Sequence, residues 1–464
     1  MVSSGQIAIT PADKGGSVLI VDPKMLRKKT LEKLQNPNLY QKLDADPLHS
    51  LHTELFDTWV EGKTRGFVTP DEAKSVMGIS DNLDSSGKGP TNRPSTAPHH
   101  KPGKSYFYPS LKVHKLKKDQ LVPGIEPPVR LITALQEGIS KKSDVFVATK
   151  FLRPLEKDYC KDLLTDTTDA LIWLDDVNSS KQTRDKMNYK PFTFDFKALY
   201  DSLSPSLVVE ALEHAMSNLR SEWNDSFRAW LIDLVKHSLK SSIGFFEDSW
   251  YKQIHGVPTG GSLCVQLANI TVYYLLNKHV YSNPELMSQV ASVKRYIDDG
   301  AGQFTGTVRQ FSSWIKKVND YIVPIGLEID EYEIENTGNF VSFLDVKFTF
   351  DTQGELQTDL HVKETDARSY LHFSSSHPNH IFSGIVYSQC LRLRRIINST
   401  DRLKAQLDIL KDAFLESGYP RRMVDNIAAK VLTMNRILER KTTYATDEPT
   451  PAVPIRVISS FGSK

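Results

Sequence analysis

Short apolar runs and helical periodicities alternate along the chain, and their order is itself informative. Residues 17–21 (SVLIV) form an apolar run after Asp13-Lys14-Gly15-Gly16, the pattern of a buried strand entered from a turn. Helical spacing covers residues 25–34. Residues 78–105 cluster Gly, Pro, Ser, Asn and Lys (SSGKGP, RPSTAPHHKPGK) and read as a flexible loop or insertion. Alternation resumes at 106–114, a strand leading into a basic hairpin, and 192–196 (FTFDF) is a strand rich in aromatics and Thr. Helices are predicted at 206–219 and 263–281, the second apolar around most of its circumference and therefore largely buried. A strand at 293–297, a turn at Asp298-Asp299-Gly300 and a returning strand at 301–304 follow. Next come a helix at 308–321 and alternation at 340–350 (FVSFLDVKFTF) of the kind a hairpin strand shows. From 382 to 440 the pattern is almost wholly helical, and 441–464 contains several prolines and little periodicity, a loose tail. There is no internal repeat.

The order strand–helix–helix–hairpin–helix–strand, with acids on the strands, describes an α+β palm followed by an all-helical unit. A length of 464 residues exceeds one ordinary core, so two to four subdomains are expected. The 39% hydrophobic and 25% charged fractions are those of a soluble globular chain. Cys160, Cys264 and Cys390 lie far apart with no CxxC pair, which argues against a zinc ribbon or a disulfide framework and fits a reducing compartment. No run of eighteen apolar residues and no signal-peptide pattern occurs, so a soluble intracellular protein away from membranes is expected. The net charge of +2 says little, but its distribution says more. Basic runs stand at 27–29, 112–118 (KVHKLKK), 392–395 (RLRR) and 421–422, while acids gather at Asp298-Asp299 and along 328–335. That division suits a protein with cationic walls for phosphates and an acidic centre for metals. Any single basic run is also well explained as a solvated helix face.

The acids carry the chemistry. Nucleotidyl transfer is served by two Mg²⁺ ions about 3.5–4 Å apart, which activate a 3′-hydroxyl and clamp the leaving pyrophosphate. Mg²⁺ is hard, so its protein ligands are carboxylates, carbonyls and water. Asp195 sits inside an apolar strand, where an isolated carboxylate is costly, and Asp298 and Asp299 lie at the tip of a strand–turn–strand. Singly, Asp-Asp-Gly is a common turn and Asp195 reads equally well as the partner of a buried Arg. Together, in this order, the three form a specific pattern.

YIDD at 296–299 resembles the signature hairpin of reverse transcriptases, TFDFKALYDSL at 193–203 their first catalytic strand, and GVPTGGSLCVQLANI at 256–270 the glycine-rich turn and helix between the two. DKGGSVLIV (13–21), YPSLKVHK (108–115), SFLDV (342–346) and SSHPNHIFSGIVYSQCLRLRRI (375–396) narrow the resemblance to Penelope-like retroelement reverse transcriptases, over residues of about 10 to 440. The resemblance implies a right-hand polymerase fold of fingers, an antiparallel palm and a helical thumb. On that division residues 1–105 are an N-terminal extension and the start of the fingers, and 106–190 the fingers. Residues 191–360 are the palm with fingers helices interleaved, 361–440 the thumb and 441–464 a tail. It also implies an RNA-directed DNA polymerase acting in the nucleus on an RNA template, a DNA primer and dNTPs, with two Mg²⁺ (or Mn²⁺) ions per site. Asp195 and Asp298 are then the principal metal ligands, Asp299 the accompanying acid, and the Phe196 backbone carbonyl a further ligand.

Other roles come from the same resemblance. Tyr200, five residues after Asp195, matches a steric gate whose ring fills the space of a ribose 2′-hydroxyl, or else is simply a packed aromatic at a strand-to-helix junction. Lys112, with Lys115 as its rival, and Arg130 match the basic positions on the fingers hairpin that bind triphosphate. Gly260, in the turn with Gly256 and Gly261, permits close backbone approach to a nucleotide. Thr259 stands beside it where many family members have glutamine, which leaves any contact assumed from that glutamine unassigned. Tyr296 contacts nucleic acid. His377 lies in SSSHPNH at the palm–thumb junction, and Arg392 and Arg395, three apart on one helical face, are placed to grip phosphates of the duplex. His377 and His380 lack a partnering Cys or acid, so a metal role ranks below a structural or phosphate-contacting one. No family lysine follows Gly326-Leu327, so the general acid is unassigned. No GIY-YIG or RNase H constellation is found, which leaves an endonuclease either removed or never present. An RNA-templated RNA polymerase and a catalytically idle nucleic-acid-binding scaffold are the competing readings. Tyr200 opposes the first and the full set of acids the second.

Overall fold

The computed structural model describes residues 7–14, 18–79, 104–113, 116, 124–179, 189–336, 338–363 and 368–438. At its centre lies a four-stranded antiparallel sheet built from Tyr189–Phe196, Val290–Tyr296, Asp299–Thr305 and Ile329–Ile334. Tyr189–Phe196 is flanked by Ile329–Ile334 on one side and Asp299–Thr305 on the other, with Val290–Tyr296 at the far edge. Period-2 alternation sends Phe192, Phe194 and Phe196 to one face, where all three are buried, and Thr193 and Asp195 to the other. The aromatic face packs on Val308–Ile322. That helix opens with a capping box in which the Gln310 amide donates to Thr307 Oγ1 (3.3 Å) and the Thr307 amide to Gln310 Oε1 (2.8 Å). It buries Phe311, Trp314, Ile315, Val318 and Ile322, a single helical stripe. Pro205–Leu219, Asp225–Lys240 and the nearly all-buried Cys264–Leu276 complete the layer beneath.

There are two main cores. The larger joins the central sheet to those helices and to Leu48–Thr64 and Arg153–Tyr159. The second gathers Thr167–Ser179, the strands Val341–Phe343, Val346–Phe350 and Leu356–Leu360, and three C-terminal helices, Asn379–Ile396, Thr400–Glu416 and Arg421–Leu432. The Val290–Tyr296/Asp299–Thr305 hairpin sits between them: Phe304 belongs to the first core and Ala301 to the second. A separate hairpin, Phe107–Leu111 with Val129–Thr133, overhangs the central sheet, and Tyr40–Leu43, Ile243–Phe246 and Ser249–Gln253 form a small sheet beside it. The architecture is α+β, an antiparallel central sheet with a helical C-terminal unit. Among the described residues no helix is long and apolar enough to cross a membrane.

Several expectations change. The strand Val18–Val21 forms but is not buried: among the described residues it pairs with Ala8–Pro11 alone, in a two-stranded ribbon whose outer face leaves Val18 and Ile20 69% and 70% exposed. The turn expected at Asp298-Asp299-Gly300 lies one residue earlier, at Ile297-Asp298, and Gly300 is inside the returning strand. Its glycine serves the neighbouring strand, since a Cβ there would stand 2.1 Å from the Phe194 ring. The 340–350 alternation is two strands rather than one, broken at Leu344-Asp345. Most of the 78–105 loop and the whole 441–464 tail lie outside the described residues.

Candidate active site

The three acids meet because of strand register. Asp195 lies directly opposite Asp299, and Asp299 also faces Tyr296 as the closing pair of the hairpin. Asp298 occupies the loop between them, with its backbone carbonyl accepting from the Phe196 amide at 3.3 Å. One oxygen from each of Asp195, Asp298 and Asp299 lies within 4.8 Å of the other two, and all three residues are half-buried. Ile297, the first loop residue, has φ +56°, a left-handed conformation that is strained for a β-branched side chain. Three like charges so close, partly out of water, repel one another. A donor set of carboxylate oxygens alone suits a hard divalent cation, which would offset that repulsion.

Asp195 and Asp298 line a cleft of 1120 Å³ together with Phe196, Tyr200, Thr259, Lys112 and Arg130. Ala198 (φ +46°) turns the chain sharply after the strand, so that the short helix Leu199–Ser202 brings Tyr200 into the cleft. The Tyr200 carbonyl accepts from the Val257 amide at 2.7 Å, and a Cβ on Gly256 would come within 2.6 Å of that carbonyl oxygen. Burial raises the Tyr200 phenol above its usual range, and the negative charge of Asp298 raises it further, so the ring stays protonated and neutral. Gly260 (φ +111°) seats the same loop on the overhanging hairpin, where a Cβ would lie 2.7 Å from the Thr133 carbonyl oxygen. The close approach expected of these glycines is thus made to protein backbone, and it fixes the wall that carries Thr259.

Asp299 lines a second hollow of 350 Å³ on the other side of Asp195, together with Glu331, His361, Lys363 and Lys14. Sequence reasoning did not single out those four. Glu331 pairs in register with Asp195 on the neighbouring strand, and its signal was the acidic run at 328–335. Asp13 was missed as well. Its side chain is only 4% exposed, its Oδ1 lies 3.3 Å from Arg130 Nη1, and its amide donates to the Leu111 carbonyl at 3.0 Å. The N-terminal ribbon is thereby strapped to the overhanging hairpin, and Arg130 is oriented by a carboxylate. The signal was the Asp-Lys pair in DKGG, which spacing alone reads as a turn.

Tyr296, His377, Arg392 and Arg395 do not line that cleft. Tyr296 packs against the second core. His377 is exposed, with its Nδ1 2.8 Å from Ser375 Oγ. Arg392 is engaged by Asp345, which accepts from Nε at 3.0 Å and Nη2 at 2.7 Å. Arg395 is half-buried on the same helix, its carbonyl accepting from Arg436 Nε at 2.9 Å. Lys115 lies outside the described residues. The basic run at 27–29 is likewise neutralised within the chain, Arg27 by Glu247, and Lys28 and Lys29 by Glu126.

Comparison with known proteins gives the following. A family described as "Animal helix-turn-helix domain" matches residues 369–428, a stretch that holds Asn379–Ile396, Thr400–Glu416 and the start of Arg421–Leu432. No curated protein matches the chain. Among solved structures it is similar to telomerase from Candida albicans in complex with a fragment of telomeric RNA, at 11% identity and a TM-score of 0.47 over 66% of this chain and 57% of that one. It is similar to apo telomerase from Candida tropicalis at 11% identity and a TM-score of 0.47, over 94% of this chain and 68% of that one. The Sicinivirus 3Dpol RNA-dependent RNA polymerase is similar at 14% identity and a TM-score of 0.40, over 66% and 64%. The chain thus spans little more than half the length of the Candida albicans telomerase.

Proposed function

We propose that this chain is an RNA-directed DNA polymerase of the Penelope-like retroelement kind, acting in the nucleus and extending a primer 3′-hydroxyl with dNTPs on an RNA template. The observation that carries the reading is the meeting of Asp195, Asp298 and Asp299 within 4.8 Å. Asp195 and Asp298 line a cleft that Lys112 and Arg130 also line. Asp195, Asp298 and the Phe196 carbonyl would hold two divalent cations, Mg²⁺ or Mn²⁺, with Asp299 accompanying. When bound, such ions lower the pKa of the attacking hydroxyl and neutralise the leaving pyrophosphate. Lys112 offers the triphosphate a point charge, and Arg130, held by Asp13, offers a planar fork. Thr259 and Gly260 hold the opposite wall, while Tyr296, Lys115, His377, Arg392 and Arg395 are the contacts proposed for template and primer.

A polymerase making RNA shares these acids. Tyr200, in the same cleft as Asp298 and with its backbone held by the bond from the Val257 amide, favours deoxynucleotides. The test is primer extension on RNA and DNA templates with dNTPs or rNTPs, comparing the wild type with Asp298→Ala. Extension with dNTPs on RNA, lost in the variant, is the expected result. A chain that binds template–primer and extends nothing with Mg²⁺ or Mn²⁺ overturns the reading.

A further inference from the structure

Beneath the acid cluster lies a charged network that none of the roles above uses. Arg295, the residue before YIDD, is 0% exposed. Its neighbour Tyr296 faces the second core, so strand alternation drives Arg295 into the first. All five guanidinium N–H groups find acceptors there. Nη1 donates to the Ile297 carbonyl at 2.7 Å and to Asn269 Oδ1 at 3.2 Å. Nη2 donates to the Asn269 carbonyl at 3.2 Å and Asp162 Oδ1 at 3.4 Å, and Nε to Asp162 Oδ2 at 3.3 Å. Asp162 is itself held by the Tyr281 hydroxyl at 2.8 Å. The backbone joins in, with the Arg295 amide donating to the Asp162 carbonyl at 2.8 Å.

A buried ion pair is a poor way to gain stability, because apolar side chains of similar volume often do as well; its attested use is to fix position. Here the fixed object is identifiable. The shortest of the five bonds goes to the carbonyl of Ile297, the strained loop residue whose conformation aims Asp298 at Asp195. The other four anchor the guanidinium to the core helix Cys264–Leu276 and to the segment before Thr167–Ser179, neither of which belongs to the hairpin. We infer that Arg295 is a positioning residue for the proposed polymerase, clamping the Ile297 carbonyl so that Asp298 is held in cation-binding register with Asp195 and Asp299. This rests on the polymerase reading, but its physical content is a prediction about cation affinity.

The test measures Mn²⁺ binding to the purified full chain by electron paramagnetic resonance, alongside dNTP kcat and KM on a template–primer. Arg295→Lys keeps the charge but lacks the planar fork that reaches Asp162 and Ile297 at once. It is expected to weaken Mn²⁺ binding and lower kcat by about tenfold to a hundredfold, with KM for dNTP within about twofold. Glycine adopts positive φ without strain, so Ile297→Gly added to Arg295→Lys is expected to restore much of the Mn²⁺ affinity. Wild-type Mn²⁺ affinity in a folded Arg295→Lys chain overturns the inference. If that variant does not fold, Tyr281→Phe decides. Loss of the Asp162 hydrogen bond should lower Mn²⁺ affinity by a few-fold, and an unchanged affinity again overturns it. A wild type that binds Mn²⁺ yet extends no primer defeats the polymerase reading alone, because the affinity comparison still stands.

Discussion

Two tight turns in this molecule share one backbone design and put it to opposite uses. In 296–299 (YIDD) and in 343–346 (FLDV), strands close on a two-residue loop whose first member is apolar with φ +56° and whose second is aspartate. At the first turn Asp298 meets two further carboxylates, on Asp195 and Asp299. At the second, Asp345 accepts two hydrogen bonds from Arg392 and one from the Thr167 hydroxyl, and so ties the C-terminal helices to the strands beside the palm. The local fold of the two is alike. The charge arriving from elsewhere makes one an acidic cluster and the other a rivet.

The sharpest way to break that comparison is to remove each aspartate in turn. Asp298→Ala should cut primer extension by at least about a thousandfold, near 4 kcal/mol of transition-state stabilisation. Its thermal stability should hold or rise, because a like charge is removed; a large drop in Tm would mean that Asp298 is structural. Asp345→Ala should do the reverse, costing about 1 kcal/mol of stability for a half-exposed pair and leaving extension largely intact.

A third acid tests the same idea without a partner of opposite charge in contact. Burial pushes Asp144 up to about 7, against the opposing pull of hydrogen bonds from Ser140 and Ser238 and the charge of Lys141. Its folded state therefore binds a proton more tightly than the unfolded chain does. Its contribution is full below the ordinary pKa near 3.8 and is lost as pH rises through 7. A shift of that size corresponds to an upper limit of roughly 4 kcal/mol. Asp144→Asn, which mimics the protonated form, should flatten the fall in Tm between about pH 4 and pH 7. An equal fall in both chains would show that Asp144 does not titrate there.

Smaller in effect, Tyr200→Ala should admit ribonucleotides and lower discrimination by roughly a hundredfold. Competition between dNTP and rNTP in one extension reaction measures it. Retained discrimination would make Tyr200 a packing residue, as its contact with the core alone suggests. Smallest is the Asp345→Ala loss in Tm, which should disappear in a chain that already carries Arg392→Met; if it does not, Asp345 is acting through Thr167 rather than Arg392.

The chain's own pattern determined a good deal. The alternation of FTFDF, the helical stripe from Phe311 to Ile322 and the apolar helix after GVPTGG are local periodicities, set by which face must leave water, and each element formed close to where its pattern lies. The acids were legible for the same reason, as charges set into apolar strands. What no local pattern carries is register and neighbourhood. That Gly300 serves Phe194 rather than a turn, that Asp13 reaches Arg130, that Asp345 engages Arg392, and that Arg295 lies buried under Ile297 all depend on residues distant in sequence. Burial and electrostatics act through space, so the same Asp in the same turn acquires its chemistry only when the rest of the chain has closed around it.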